Sequence, residues 1–336
     1  MKQKCIAKSL RTFPFSNDNL SPKEALFKST LNERYDAKHR AISKEEVKFI
    51  NSVTINKCPY CGSTFIIKNG HRKDGIQKYK CNSCDRSFMP ITNTIFDSHK
   101  IPISEWFEFL LHLFEFHSIK TSSYDNRNSN STGTYRLFKI FEVLKNVQED
   151  IVLEGKVYLD ETYFPKIKSH NIIINGKKLR GISANKLGVA VATDLKKSIF
   201  IVTGTSKPSD KSTLSAYGKH IKEGSIIVHD KEKSHNALIE KLNLISETYS
   251  CDELKNVKDQ DNPLTPVNKL HALAKRFMRE HGSYNRDNLQ DWMNLLWFIL
   301  NGPEDKYAKV LKFIELAINS SKRVKYRDVM SAKATK

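Results

Sequence analysis

The stretch GKVYLDETYF, residues 155–164, decides how the rest of the chain is read. Val157 and Leu159 alternate on one face, as in a half-buried β-strand, and Asp160 stands mid-strand with Glu161 immediately after it. An acid inside such a strand is costly unless its charge has a partner.

Working outward, KLGVAVATD (186–194) and SIFIVTGT (198–205) read as second and third strands. SDKSTLSAYGKHIK (209–222) reads as a helix with Ser209 as N-cap, and SIIVHD (225–230) as a short buried strand. KSHNALIEKLN (233–243) is a further helix and ISETYS (245–250) a fifth strand. A three-strand meander followed by helix, strand, helix, strand predicts an α/β domain with helices packed on a mixed sheet. Asp230 ends its strand where a side chain emerges at the carboxyl edge. Two aspartates on neighbouring strands can converge on a divalent cation through hard oxygen ligands. Taken singly, each has a plainer reading: Asp230 caps the next helix, and Asp160 lies on an exposed face.

A third element is TPVNKLHALAKRFMREHG (265–282). At 100° per residue, Asn268, His271, Lys275 and Arg279 fall within a sector of about 80°. Leu270, Leu273, Ala274 and Phe277 take the other side, so the polar stripe is expected to look outward along one edge. Between the first two strands lies PKIKSHNIIINGKKLRGIS (165–183), with Lys166, Lys168, Lys177, Lys178 and Arg180. Asn175-Gly176 is a type I′ hairpin signal. Such a basic hairpin either grips a phosphate backbone or is a solvated excursion.

Upstream, Cys58-Pro-Tyr-Cys61 and Cys81-Asn-Ser-Cys84 are two CxxC pairs with 19 residues between them. That is the spacing of a four-thiolate zinc ribbon, each pair on a knuckle turn and the thiolates converging on one tetrahedral ion. Two disulfides fit poorly, because MKQKCIAKSLRTFPF carries no continuous apolar segment of the kind a secretory signal needs. Cys5 and Cys251 have no partner motif. A helix is expected around Ser43–Asn51, with Ser43 as N-cap and Glu46 three residues on. ISEWFEFLLHLFEFHS (103–118) has helical apolar spacing, with Ser104 as N-cap. A polar stretch follows, SSYDNRNSNSTG (122–133), and then the amphipathic TYRLFKIFEVLKNV (134–147). Helix, polar segment and helix suggest either a helix-turn-helix-like DNA reader or a plain helical bundle.

The organisation expected is an N-terminal extension (1–55), a zinc ribbon (56–90), a helical, DNA-binding segment (91–150), the α/β domain (151–302), and a C-terminal helix with a basic tail (303–336). The chain holds 56 Lys+Arg against 37 Asp+Glu, a net charge of +19. Nucleic acid is the commonest partner for such a surplus, through phosphate contacts and counterion release. The richest apolar runs, FLLHLF and LLWFIL, fall far short of the ~18–20 residues that cross a bilayer. The reading is of a cytoplasmic protein, nucleoid-associated when bound to DNA, with no membrane partner.

The ribbon, NTIFDSHKIPISEWF, VYLDETYF, RGIS, SIIVHD and PVNKLHALAKRFMREHG together resemble the ISXO-like group of insertion-sequence transposases, over about Cys58 to Asn301. The resemblance implies a ribonuclease-H-like catalytic domain with an acidic triad and two Mg²⁺ ions, besides the structural Zn²⁺. Asp160 matches the first aspartate and Asp230 the second. The third position falls on Asn268 or His271, with Lys275 following, and no Glu occurs in 262–279. Losing one carboxylate lowers metal affinity, and a His ligand favours Mn²⁺. The implied function is a DNA transposase of a bacterial insertion sequence, a mobile element. It binds the element's terminal repeats and target DNA as a homo-oligomer and carries out metal-dependent cleavage and strand transfer. Lys275 and Arg279 neutralise charge on the DNA strand. The alternatives are a ribonuclease-H-like nuclease without strand transfer, and a non-catalytic zinc-ribbon DNA-binding protein derived from a transposase.

Overall fold

The computed structural model describes residues 42–97, 101–126, 128–166, 171–179, 181–205, 207–282 and 286–329, together with Pro22. Cys5, Lys168 and Arg180 lie outside the described residues. The chain divides into two compact units, Met1–Val143 with Pro303–Lys336, and Leu144–Gly302. No helix of the described residues is long and apolar enough to cross a membrane.

In the first unit, α1 (Lys44–Ser52) opens on Ser43, whose hydroxyl accepts the Glu46 amide at 3.1 Å. A small antiparallel sheet follows in the order β1 (Ile66–His71), β2 (Gln77–Cys81), β3 (Ser87–Phe88). Then come α2 (Ser104–Phe114), α3 (Ile119–Asp125) and α4 (Asn130–Leu144). Two local expectations are corrected here. Ser104 does not cap α2: it is the first helical residue, and the Ile103 and Ser104 amides donate instead to the Glu46 carboxylate, at 2.8 and 3.2 Å. A carboxylate at a helix start satisfies orphan amides and matches the positive end of the helix dipole, worth about 1 kcal/mol. The stretch 122–133 is not a linker either, since α3 and the start of α4 occupy most of it. Ser118 caps α3 by accepting the Thr121 amide at 3.1 Å, and Ser129 accepts the Thr132 amide at 3.2 Å. Small polar residues here serve close helix approach: a Cβ at Gly133 would lie 1.8 Å from Ser123 Oγ.

Helix α4 is a core element. Leu137, Ile140, Phe141 and Leu144 are buried, and so are Arg136 and Lys139. The Arg136 guanidinium lies 5.1 Å over the Trp106 ring, pairs with buried Glu105 at 3.8 Å, and donates to Asn126. Burial draws Arg136 down to about 10 and Lys139 down to about 8.

The second unit is built on β4 (Lys156–Pro165). A hairpin of β5 (Ile173–Ile174) and β6 (Lys177–Lys178) leads to β7 (Lys186–Thr193) and β8 (Ser198–Gly204). Next come α5 (Asp210–Tyr217), β9 (Ile226–Asp230), α6 (His235–Leu242), β10 (Ile245–Tyr249) and a one-turn helix α7 (Cys251–Leu254). The unit closes with α8 (Thr265–Glu280) and α9 (Leu289–Asn301). The five-stranded sheet runs β10-β9-β4-β7-β8, with β4, β7 and β8 antiparallel and β9 and β10 parallel to β4. Helix α5 stops at Tyr217, short of the expected Lys222, because Ile221 turns into a parallel bridge with Leu153.

Alternation along β4 divides the sheet into two faces. Val157, Leu159, Ala190, Ala192, Ile199 and Ile227 form one core with Tyr217 and Leu238 of the α5–α6 side. Helix α8 lies against β4 and β7 on the other face, and α9 against β8. The outer edge of β8 is blunted by side-chain amides: Phe200 N–H donates to Gln148 at 2.7 Å and Val202 N–H to Gln290 at 2.8 Å.

Candidate metal centre

Strand pairing brings the two aspartates level. β4 pairs with β9 in parallel through Tyr158↔Val228, and two residues further along each strand stand Asp160 and Asp230, on the same face. Parallel neighbours are about 4.8 Å apart, so both carboxylates occupy one small region at the carboxyl ends of the strands. Asp160 is held by the Glu161 amide, which donates to its Oδ1 at 2.8 Å, and its side chain is 25% exposed. Burial, then the charges of Asp230 and Glu161, push Asp160 up to about 7. Asp230 Oδ1 accepts the Glu232 amide at 3.2 Å and does not cap α6, whose N-cap is Ser234.

Helix α8 supplies the third group, and here the polar stripe is corrected. His271 does not look outward: it is buried, its Nδ1 3.8 Å from Asp160 Oδ2. Val267, Ala274, Phe277 and Met278 share that buried face, while Leu270 and Leu273 are only half-buried. The buried arc is therefore rotated by roughly a residue's width from the sequence-based one, which puts His271 on its rim. Burial and the nearby Lys275 pull His271 down to about 4, leaving a neutral imidazole. Its Nε2 is buried with no hydrogen-bond partner among the described residues. Asn268, Lys275 and Arg279 are exposed on the same helix. Lys275 is close enough to act on His271. Arg279 stands one further turn along, about 6 Å from Lys275. Lys177 and Lys178 are exposed on the separate β5–β6 hairpin.

The composition of this pocket suits a divalent cation. Two hard carboxylates on one face, with the Nδ1 of a neutral His271 3.8 Å from one of them, form a donor set that a divalent cation would suit.

Beneath the aspartates, on the opposite sheet face, lies a polar chain absent from the sequence-based site. Tyr217 donates to Glu161 Oε1 at 3.0 Å, and His235 Nε2 is 3.4 Å from the same oxygen. His235 Nδ1 meets His229 Nδ1 at 2.9 Å, and His229 Nε2 meets Ser246 Oγ at 2.9 Å. Burial works against a charge on His235, but the Glu161 carboxylate overrides it and raises the pKa. Burial and the neighbouring His235 hold His229 down to about 4. His235 thus links Glu161 on one side to His229 on the other, and the carboxylate favours its protonated form. The ligand atoms of His229, Asp230 and His235 lie within 4.8 Å of one another. The sequence signal for this chain was the D-E pair at 160–161 and the His-Asp at 229–230, with His235 the first residue of the next helix.

In the first unit, Cys58, Cys61, Cys81 and Cys84 gather with their sulfurs within 4.8 Å. Cys58 Sγ is 3.8 Å from Cys84 Sγ, and Cys61 Sγ is 3.6 Å from Cys81 Sγ. All four are free thiols. A tetrahedron with Zn–S bonds of about 2.3 Å has sulfur–sulfur edges of about 3.8 Å, and these two distances are of that size, so the cluster could hold a zinc ion.

No family model matches the sequence, and no curated protein matches it. Among solved structures, the chain is similar to a simian T-cell lymphotropic virus intasome in complex with PP2A regulatory subunit B56 gamma. The identity is 10% and the TM-score 0.29, over 45% of this chain and 50% of that one. It is also similar to a pre-cleavage Mos1 transpososome, at 13% identity and TM-score 0.27, over 64% of this chain and 78% of that one. The Mos1 mariner paired-end complex with Mn gives 14% identity and TM-score 0.26, over 68% and 82%. Superpositions this loose add no weight to either fold or function.

Proposed function

We propose that the chain is a DNA transposase of the insertion-sequence type, with a ribonuclease-H-like catalytic unit. The observation that carries this reading is the shared face and level of Asp160 and Asp230, with buried His271 3.8 Å from Asp160. Counting β4, β7, β8, β9 and β10 as strands 1 to 5, the order across the sheet is 3-2-1-4-5 with only β7 reversed against the rest, which supports the ribonuclease-H-like assignment.

Asp160 and Asp230 would hold Mg²⁺ or Mn²⁺, with His271 or Asn268 completing the set. When bound, the cations supply Lewis acidity and an activated oxygen nucleophile for in-line displacement at a DNA phosphate. The chain's own residues do the rest. Glu161, held by Tyr217 and His235, braces β4 from behind, and its backbone amide holds Asp160 Oδ1. Helix α8 covers one side of the pocket, and Lys275 and Arg279 draw the negatively charged strand towards it. The four cysteines would hold structural Zn²⁺, and the ribbon and helices α2–α4 would engage the element's ends, with more than one protomer assembling on the DNA.

Purified protein should cleave and join end-bearing DNA in the presence of Mg²⁺ or Mn²⁺. Asp160→Ala and Asp230→Ala should each lower that activity by about a hundredfold or more. Wild-type-like activity in both variants would end the proposal. Cleavage without joined products would indicate a nuclease. DNA binding with no cleavage under any divalent cation would indicate a non-catalytic descendant, a reading favoured by the lack of a third carboxylate on α8 before Glu280.

A further inference from the structure

The β5–β6 hairpin carries a combination of side chains that neither solvent nor a protein partner suits. Asn175 and Gly176 take φ of 49° and 70°, the left-handed pair of a type I′ turn, so the loop is as tight as a hairpin allows. Its base is gripped by buried Asn185: the Ile172 amide donates to Asn185 Oδ1 at 2.6 Å, and Asn185 Nδ2 donates back to the Ile172 carbonyl at 3.0 Å. On this rooted ribbon Ile172, Ile173 and Ile174 are 44%, 64% and 54% exposed. Pairing sets Ile173 opposite Lys178 and Ile174 opposite Lys177, so each face presents one isoleucine beside one lysine.

Lysine is depleted in protein–protein interfaces, which argues against a second copy as the occupant. Duplex DNA takes both groups, the ammonium on a phosphate and the isoleucine as an apolar wedge at a base step. The hairpin also emerges at the right place. It follows the carboxyl end of β4, with Pro165 five residues past Asp160, about 17 Å along the strand.

Resting on the transposase reading, we infer that this hairpin is a DNA wedge. Whichever face meets the duplex, its one isoleucine, Ile173 or Ile174, enters an unstacked base step several base pairs from the phosphodiester addressed by Asp160 and Asp230, while the lysine beside it, Lys178 or Lys177, holds the flanking phosphate.

The test uses the full chain and a forked duplex with 2-aminopurine at the junction, in Ca²⁺. Binding is read by anisotropy and unstacking by 2-aminopurine emission. Wild type should raise the emission severalfold. The double variant Ile173→Ser/Ile174→Ser should bind within about threefold of wild type yet leave the base quenched. Lys177→Gln/Lys178→Gln should weaken binding about tenfold. In the gain-of-signal variant Ile173→Trp, forked DNA should quench the new indole. Tight binding by wild type with no rise in emission overturns the wedge and leaves the DNA reading intact. No binding at all defeats both. Full emission from the isoleucine variant overturns the wedge, as does a change confined to its sedimentation, which would mark a contact between copies.

Discussion

His281 shows how strongly burial can act on one side chain. It sits at the end of α8 with its ring 4.4 Å from Trp292 and 4.8 Å from Phe277, and neither nitrogen has a hydrogen bond among the described residues. Burial, with Arg286 nearby, holds it down to about 4. The unfolded chain, with an ordinary His near 6.5, binds the proton first, so stability is intact above 6.5 and falls as the pH drops towards 4. The loss should reach about 3 kcal/mol. His281→Phe should make the fall of the urea midpoint across that window shallower by about that amount, the remainder belonging to His229 and His271, and an unchanged pH profile would contradict the assignment. The same physics explains which site residues could be read early. Asp160 and Asp230 stood out because a carboxylate interrupts an apolar strand. Glu161, His229 and His235 did not, because each looks ordinary in its own segment and only sheet packing joins them.

At the scale of elements, the cysteine knuckles were the most legible feature, because both ligand pairs are local and their sequence spacing carries the geometry. The amide of Cys58 donates to the Ser63 carbonyl at 2.8 Å and that of Cys81 to the Arg86 carbonyl at 3.0 Å, closing the two turns. Purified protein should contain one zinc per chain. Cys81→Ser should abolish that stoichiometry and make 56–90 sensitive to protease while leaving the sheet of 144–302 folded, as read by native-state proteolysis. A metal-free wild type with the same protease resistance would refute the zinc assignment. Helix α8 was legible as an amphipathic helix, but the burial of His271 was not. A helical wheel ranks residues by angle alone, and the arc actually covered depends on how the sheet meets the helix. The small polar residues of 122–133 read as a polar segment between helices because Ser, Asn and Gly favour turns; here they fall largely within α3 and α4 and let the two approach closely.

For the molecule as a whole, the charge surplus of +19 makes a quantitative demand on DNA binding. A footprint of roughly 7–10 phosphates predicts that log Kd rises with log salt with a slope of about 6–9. A slope below about 2 in a salt titration would mean that the lysines merely solvate the surface. The buried Arg136 and Lys139 should not contribute to that slope, since both are engaged inside the first unit. By itself, the sequence determined the strands of the five-stranded sheet, the two cysteine knuckles, the basic character and the two candidate acids, because periodicity, spacing and charge are local properties of the chain. The tertiary structure alone decided that Asp160 and Asp230 stand level, that His271 turns inward to meet them, and that a buried Tyr-Glu-His-His chain braces them from behind. Those contacts join residues far apart in sequence, and they exist only because β9 pairs with β4, and α8 packs across both β4 and β7, in one particular register.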